Sequence, residues 1–330
     1  MRQIIAADIG GTNARFARAT LDAAGVPTLD DIHKYKVADF PSLAACWRAF
    51  AAEEGRDLPD GAAIAFAAPI AQAQIKLTNS SWVIRPTTLA EELGLKRVRL
   101  VNDFEAVAHA VSRLPAEHLP LLFGEDQPFP RNGGVTVLGP GTGLGVALIA
   151  YDEGRPHILA TEGGHLDFAP LDALEDRILA YLRGEHLRVS VERIVSGPGL
   201  NNLHRAMAAL SGAPVVLMDD ADLWQAAIDG SDHAARAALE RLCLSYGSVA
   251  GDLALAHGPH AVVLAGGLTQ RMRDFLTAES GFHGRFTAKG RYEALMRTIP
   301  VRIATHPEIG LFGAAAAWRD EPEREQKEPR

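Results

Sequence analysis

Val135–Ala150 reads VTVLGPGTGLGVALIA. An apolar run, Val135 to Leu138, enters a loop with glycine at 139, 141, 143 and 145, and a second apolar run, Val146 to Ala150, leaves it. Alternating glycines let the backbone come close to a ligand and turn N–H groups toward it, which suits a phosphate. The segment after the loop separates the kinds of phosphate loop. A dinucleotide fold needs a helix after its glycines, and a Walker loop ends in Lys-Ser/Thr. Here Val-Ala-Leu-Ile follows and the loop holds no lysine. The spacing therefore predicts a strand–loop–strand hairpin, neither Rossmann nor P-loop. A glycine-rich turn with no ligand fits this stretch equally well.

The N-terminus breaks the tie. Ile4–Ile9 (IIAADI) is apolar apart from Asp8, Gly10-Gly11-Thr12-Asn13 makes a loop, and Ala14–Ala19 (ARFARA) alternates as a half-buried strand does. Two such hairpins about one domain length apart suggest a duplicated architecture. Two phosphate hairpins facing one another is the arrangement of the actin-like ATPase fold. The expected fold class is therefore α/β, actin-like ATPase (ribonuclease H-like), with two α/β domains flanking a central cleft.

A length of 330 residues suits two domains rather than one core. Leu114–Arg131 is proline-rich and irregular and reads as the crossing between them. This divides the chain into 1–113 plus 303–320, a domain 114–302, and a charged frayed tail, 321–330. With 47% hydrophobic and 22% charged residues the composition is that of a globular enzyme, and the net charge of −8 argues against a nucleic-acid surface. No apolar run reaches membrane-spanning length, and the N-terminal run broken by Asp8 is not a signal peptide. The two cysteines, Cys46 and Cys243, fall on apolar helical stripes, so buried reduced thiols and a cytoplasmic location are expected.

Along the chain, Ser42 reads as the N-cap of a helix to Glu54, and Gln74–Ile84 as a short hairpin turning at Asn79-Ser80. Val98–Val101 is a strand that stops at Asn102-Asp103, where a helical stripe begins. Ligands of α/β sheets bind at such strand ends, which makes Asp103 a candidate active-site residue; Asn and Asp are equally the preferred helix caps. Thr161-Glu162-Gly163-Gly164-His165 is a turn carrying a carboxylate and an imidazole. Without HExxH or a nearby cysteine it is no zinc site. Glu192 lies in the first turn of a short helix, where it could simply complement the helix dipole. Gly197-Pro198-Gly199 reads as a helix break. Gly247 and Gly251 suggest close packing or a ligand-facing side of the helix Ala234–His257. Ala265-Gly266-Gly267 is either a tight β-to-α turn or backbone lying flat against a nucleotide.

Taken together, DIGGTNAR (8–15), LTNSSW (77–82), NDFEAVA (102–108), GPGTGLGVA (139–147), EGGHLDFAP (162–170), VERIVSGPGLNNL (191–203), VLAGG (263–267) and KGRY (289–292) resemble the bacterial glucokinases that lack a zinc motif, within the actin-like sugar kinases. The resemblance runs nearly the whole length and implies an ATP- and Mg²⁺-dependent glucokinase acting on the 6-hydroxyl of D-glucose. It implies Asp103 as catalytic base, with Asn102, Asp103, Glu162, His165 and Glu192 binding the sugar. Gly10, Gly11, Thr12 and Asn13 form one phosphate loop, and Gly139, Gly141, Thr142 and Gly143 the other. Asp8 stands near the metal, through water, and Gly266 and Gly267 form the adenosine turn. A homodimer, with no nucleic-acid or membrane partner, goes with it. The repressor/open-reading-frame/kinase branch carries a cysteine-rich zinc cluster after the histidine; Leu166–Asp172 (LDFAPLD) has no cysteine and departs from it.

Three alternatives stay open at this level: a kinase for fructose, mannose or an N-acetylhexosamine, a sugar-binding regulator without turnover, and a filament or chaperone ATPase. The chemistry asks for positioning and charge neutralisation at the phosphates and a carboxylate to accept the hydroxyl proton. At a helix N-terminus, Asp103 is expected to have a low pKa.

Overall fold

A computed structural model of the chain describes residues 1–70, 72–77, 80–214, 218–258, 260–277 and 279–318. Two compact units emerge, one of 1–115 with the described residues from 306 on, the other of 116–305. The tail 321–330 and residue 79 of the expected Asn79-Ser80 turn lie outside the described residues.

The first unit is built on β1 (Arg2–Ile9), β2 (Asn13–Leu21), β3 (Pro27–Leu29), β4 (His33–Lys36), β5 (Gly61–Phe66) and β8 (Arg97–Asn102), in the order β3-β2-β1-β5-β8 with β4 also on β2. The short strands β6 (Ile75–Lys76) and β7 (Val83–Ile84) pair separately. β1 and β2 form the N-terminal hairpin, while β1, β5 and β8 run parallel. β1 is apolar and buried from Ile4 to Ala7 because both of its faces are covered. Ile5, Ala7 and Ile9 pack with Leu43, Trp47 and Phe50 of helix α1 (Leu43–Glu54), whose N-cap is Ser42 as the sequence predicts. Ile4 and Ala6 pack with Leu311, Ala315 and Trp318 at the C-terminal helix Ile309–Ala317. Beyond α2 (Leu89–Glu92), that alanine-rich helix lies close against α3 (Asp103–Val111): a Cβ on Gly313 would sit 1.8 Å from the carbonyl oxygen of Ala106. Only glycine permits this approach, and it fixes the helix that carries Asp103.

The second unit repeats the scheme. Its sheet comprises β9 (Leu121–Phe123), β10 (Gly133–Pro140), β11 (Leu144–Asp152), β12 (Arg155–Thr161), β13 (Ala261–Leu264) and β14 (Val301–Ile303), ordered β12-β11-β10-β13-β14-β9. Again an antiparallel hairpin, β10–β11, is followed by parallel neighbours, β13 and β14. Helices α4 (Ala173–Arg183), α5 (Gly197–Ser211), α6 (Asp220–Asp229), α7 (His233–His257), α8 (Gly267–Arg271), α9 (Gly281–Thr287) and α10 (Glu293–Thr298) complete it. The glycine pair on α7 serves packing: Cβ atoms at Gly247 and Gly251 would meet the carbonyl oxygens of Phe282 and Phe286 on α9 at 2.1 and 2.6 Å. Lys289 fastens the same junction through the carbonyl oxygen of Ser248 and the carboxylate of Asp252. Cys46 and Cys243 are both free and buried, and burial pushes each thiol up to about 12.

Two readings of the sequence change. The proline-rich crossing contains a strand, β9, which pairs along β14 through Phe123↔Val301 and Leu121↔Arg302. Gly197-Pro198-Gly199 does not break a helix but starts one. Ser196 caps α5 through the N–H of Gly199, and proline is tolerated in a first turn, where N–H groups lack helical partners.

Candidate active site

In the first unit, strand register gathers the candidates along one edge of the sheet. Ile9 pairs with Phe66, and Phe66 with Asn102, so the three lie in one row across parallel strands. Gly10 and Asp103 each stand one residue beyond that row. Two strand spacings separate them, about 10 Å. The first loop is closed by the N–H of Gly10 donating to the carbonyl of Asn13 (2.9 Å), leaving Thr12 and Asn13 exposed at the tip.

Asn102, not Asp103, caps α3. Its Oδ1 accepts from the N–H groups of Phe104 (2.9 Å) and Glu105 (3.3 Å), and Glu105 reaches back to the N–H of Asn102 in a capping box. The Asn102 amide also donates to the carbonyl of Ala68, two residues past the end of β5 (3.4 Å). Asp103 is thereby relieved of the capping role, although its own Oδ1 accepts from the N–H of Phe104 (2.9 Å). The expectation of a low pKa is overturned. Burial pushes the Asp103 carboxyl up to about 6, against the pull of the Phe104 N–H and with the help of the nearby Asp8 charge.

Asp8 faces Arg15 across the hairpin, and Nη1 of Arg15 donates to its Oδ2 at 2.9 Å. Burial raises the Asp8 pKa, with Arg15 opposing the shift. Behind it, a Cβ on Gly310 would lie 2.8 Å from the same oxygen. Glu308 pairs with Nε of Arg15 (3.5 Å) and Nζ of Lys34 (2.5 Å), so β2, β4 and the start of the C-terminal helix are tied around one carboxylate.

In the second unit the candidates assemble around β11. Gly141 and Thr142 are exposed at the hairpin tip, which is closed by the N–H of Gly141 donating to the carbonyl of Gly143 (2.7 Å). The carbonyl of Gly141 in turn accepts from the N–H of Gly197 at the start of α5 (2.8 Å). Leu144, first in β11, meets both sugar-binding candidates' turns. Its carbonyl oxygen would be 2.2 Å from a Cβ at Gly164, and its N–H donates to Oε2 of Glu192 at 2.9 Å. Glu192 thus does not serve a helix dipole; its 3₁₀ turn Val191–Arg193 is only three residues long.

The turns holding Glu162, His165 and Glu192 are also zipped together. The N–H of Val191 donates to the carbonyl of Leu166 (2.8 Å), that of Phe168 to Val189 (3.0 Å), and Arg188 holds the carbonyl of His165. Glu162 and His165 are exposed, and their side chains make no hydrogen bond to another described residue. They are open to a ligand. Leu138 and Leu264 share a row, and past it Gly266 adopts φ +92° to turn β13 into α8, a conformation glycine supplies.

A family model described as Glucokinase matches residues 5–321. The chain belongs to the glucokinase family. It is 51% identical over 316 residues to the glucokinase of Zymomonas mobilis subsp. mobilis, covering 96% of this chain and 97% of that one. A crystal structure of glucokinase from an Antarctic psychrotroph superposes with a TM-score of 0.84 at 34% identity, covering 97% of this chain and all of that one. A ROK family glucokinase from Streptomyces griseus, in complex with glucose and AMPPNP, covers 96% of this chain and 99% of its own at 21% identity and a TM-score of 0.62, a likeness of fold alone. The fold is that of the actin-like ATPases.

Sequence reasoning missed Arg15, Glu308 and Gly310 as the setting of Asp8. The signal for Arg15 is present in the hairpin: a turn closed between Gly10 and Asn13 places Ile9 opposite Ala14, and therefore Asp8 opposite Arg15. Glu308 and Gly310 are distant in sequence and carry no such signal. No helix among the described residues is long and apolar enough to cross a membrane.

Proposed function

We infer that this chain is an ATP-dependent glucokinase, transferring the γ-phosphoryl group of ATP to the 6-hydroxyl of D-glucose, the entry step of glycolysis. The observation that carries this reading, in a chain of the glucokinase family, is Asp103: a half-buried carboxylate at a strand end, freed from capping by Asn102 and raised to about 6. It is ionised at neutral pH yet basic enough to take a proton. As the 6-oxygen bonds to the γ-phosphorus and the bond to the ADP oxygen breaks, the hydroxyl proton passes to Asp103. Asn102, Glu162, His165 and Glu192 hold the sugar hydroxyls; the exposed Glu162 carboxylate accepts from two neighbouring hydroxyls and so distinguishes epimers. The backbones of Gly10–Asn13 and Gly139–Gly143 hold the phosphates, and Gly266-Gly267 lies against the adenosine.

For Mg²⁺ the donors fit a cation that arrives on the nucleotide. Among the described residues there is no cluster of three or more metal-binding side chains, and Asp8 has Oδ2 bonded to Arg15 while Oδ1 makes no hydrogen bond to any of them. A single carboxylate acting through water suits Mg²⁺, which keeps much of its hydration shell. When bound, the ion neutralises charge on the β- and γ-phosphates. The buried thiols Cys46 and Cys243 support a cytoplasmic location, and a homodimer is the assembly we propose from the family alone.

A panel of hexoses assayed for ADP release with MgATP tests the reading. Glucose should be the preferred acceptor. Binding of glucose without turnover points to a regulator, and preference for fructose, mannose or an N-acetylhexosamine moves the substrate.

A further inference from the structure

Glu192 touches more than one part of the site. Its Oε2 accepts the N–H of Leu144, the residue that follows the tip of the second phosphate hairpin. Its carboxylate also fills the space beside Gly143 in that hairpin: a Cβ there would come within 2.2 Å of Oε2 and 2.9 Å of Cδ. Gly141, two residues earlier in the same loop, has nothing within 4 Å of the corresponding position. The glycines of one loop therefore differ in purpose. Gly141 is open, whereas Gly143 makes room for a side chain from the sugar-binding turn.

We propose that Glu192 is a latch between the sugar-binding turn and the second phosphate hairpin, with Oε2 committed to the Leu144 N–H and Oε1 left for a sugar hydroxyl, and that Gly143 is glycine to admit it. The inference rests on reading Glu192 as a sugar ligand. Leu144 sits between the two turns, its N–H on Glu192 and its carbonyl packed on Gly164 beside Glu162 and His165. A sugar that fixes Glu192 fixes the hairpin backbone with it, and coupling of this kind is reciprocal between the two ligands.

The test measures glucose binding by titration calorimetry with no nucleotide present. Gly143→Ala displaces the flexible end of Glu192 rather than the backbone, so the fold should survive, as its melting temperature will report. It should weaken glucose binding by on the order of ten- to a hundred-fold, the cost of one charge-assisted hydrogen bond. Gly284→Ala on α9, outside the site, should leave glucose affinity within about two-fold, since its methyl meets open space. In a Glu192→Ala background, Gly143→Ala should have no further effect, because a double-mutant cycle shows the loss of a shared interaction as non-additivity. Reciprocally, Glu192→Ala should weaken binding of MgADP alone, an arm that needs no substitution in the loop. Wild-type glucose affinity in Gly143→Ala, or additive effects in the cycle, overturns the latch. Wild-type glucose affinity in Glu192→Ala overturns the sugar-ligand reading beneath it.

Discussion

Replacing Asp103 by Asn should stabilise the protein while disabling it. Burial moves the Asp103 carboxyl from 3.8 to about 6, so the folded state holds this proton more tightly than the unfolded chain does. The sign follows from linkage: stability contributed by this group is highest below pH 4 and falls as pH rises from there through about 6. Two units correspond to about 3 kcal/mol, and partial exposure reduces this to roughly 1–3 kcal/mol at pH 7.5. Asn carries no charge and can still accept the N–H of Phe104, so the penalty disappears. Urea unfolding should give Asp103→Asn the higher midpoint at pH 7.5, with the gap closing toward pH 4. Turnover should drop roughly 10²–10⁴-fold, the usual worth of a positioned base, and wild-type kcat/KM should fall on the acid side with a midpoint near 6. Equal stability at pH 7.5 together with turnover within a few-fold of wild type refutes the reasoning and leaves Asp103 a passive first-turn residue.

Gly310→Ala should raise the KM for MgATP several-fold while sparing glucose affinity measured without nucleotide, because its methyl would meet Asp8 Oδ2 at 2.8 Å; calorimetry on each ligand separates the two. Gly313→Ala drives a methyl into the Ala106 carbonyl at 1.8 Å and should lower stability by at least about 1–3 kcal/mol in thermal unfolding, with α3 disturbed beneath Asp103. Chelation by EDTA should abolish turnover without moving the melting temperature, because the cation proposed beside Asp8 would arrive on the nucleotide, and no cluster of three or more metal-binding side chains is found among the described residues.

The two glycine hairpins were legible because each joins a local turn to apolar strands on either side, and both signals lie within a few residues. The same holds for Ser42 as a cap and for the strand that stops at Asn102-Asp103. The strands β3, β4, β9 and β12 were not legible. His33–Lys36 (HKYK) and Arg155–Thr161 (RPHILAT) are polar edge strands, and their pairing with β2 and β11 comes from tertiary neighbours rather than from a hydrophobic period. Position in the sequence marked Asp103 as a candidate but gave its pKa the wrong direction. A helix N-terminus is local and readable, whereas the burial that outweighs it depends on how the sheet edge is covered. Glu192 was placed by resemblance, and its contact with Leu144 joins residues 48 apart.

Phosphorus NMR of the protein mixed with glucose and MgATP follows the γ-phosphoryl group directly. The resonance of ATP should give way to those of ADP and glucose 6-phosphate in equal amounts, and the Asp103→Asn protein should leave ATP intact over the same interval. Phosphate appearing free in solution, or on another hydroxyl, or glucose 6-phosphate formed as quickly by Asp103→Asn, contradicts the assignment of this chain as a glucokinase with Asp103 as its base.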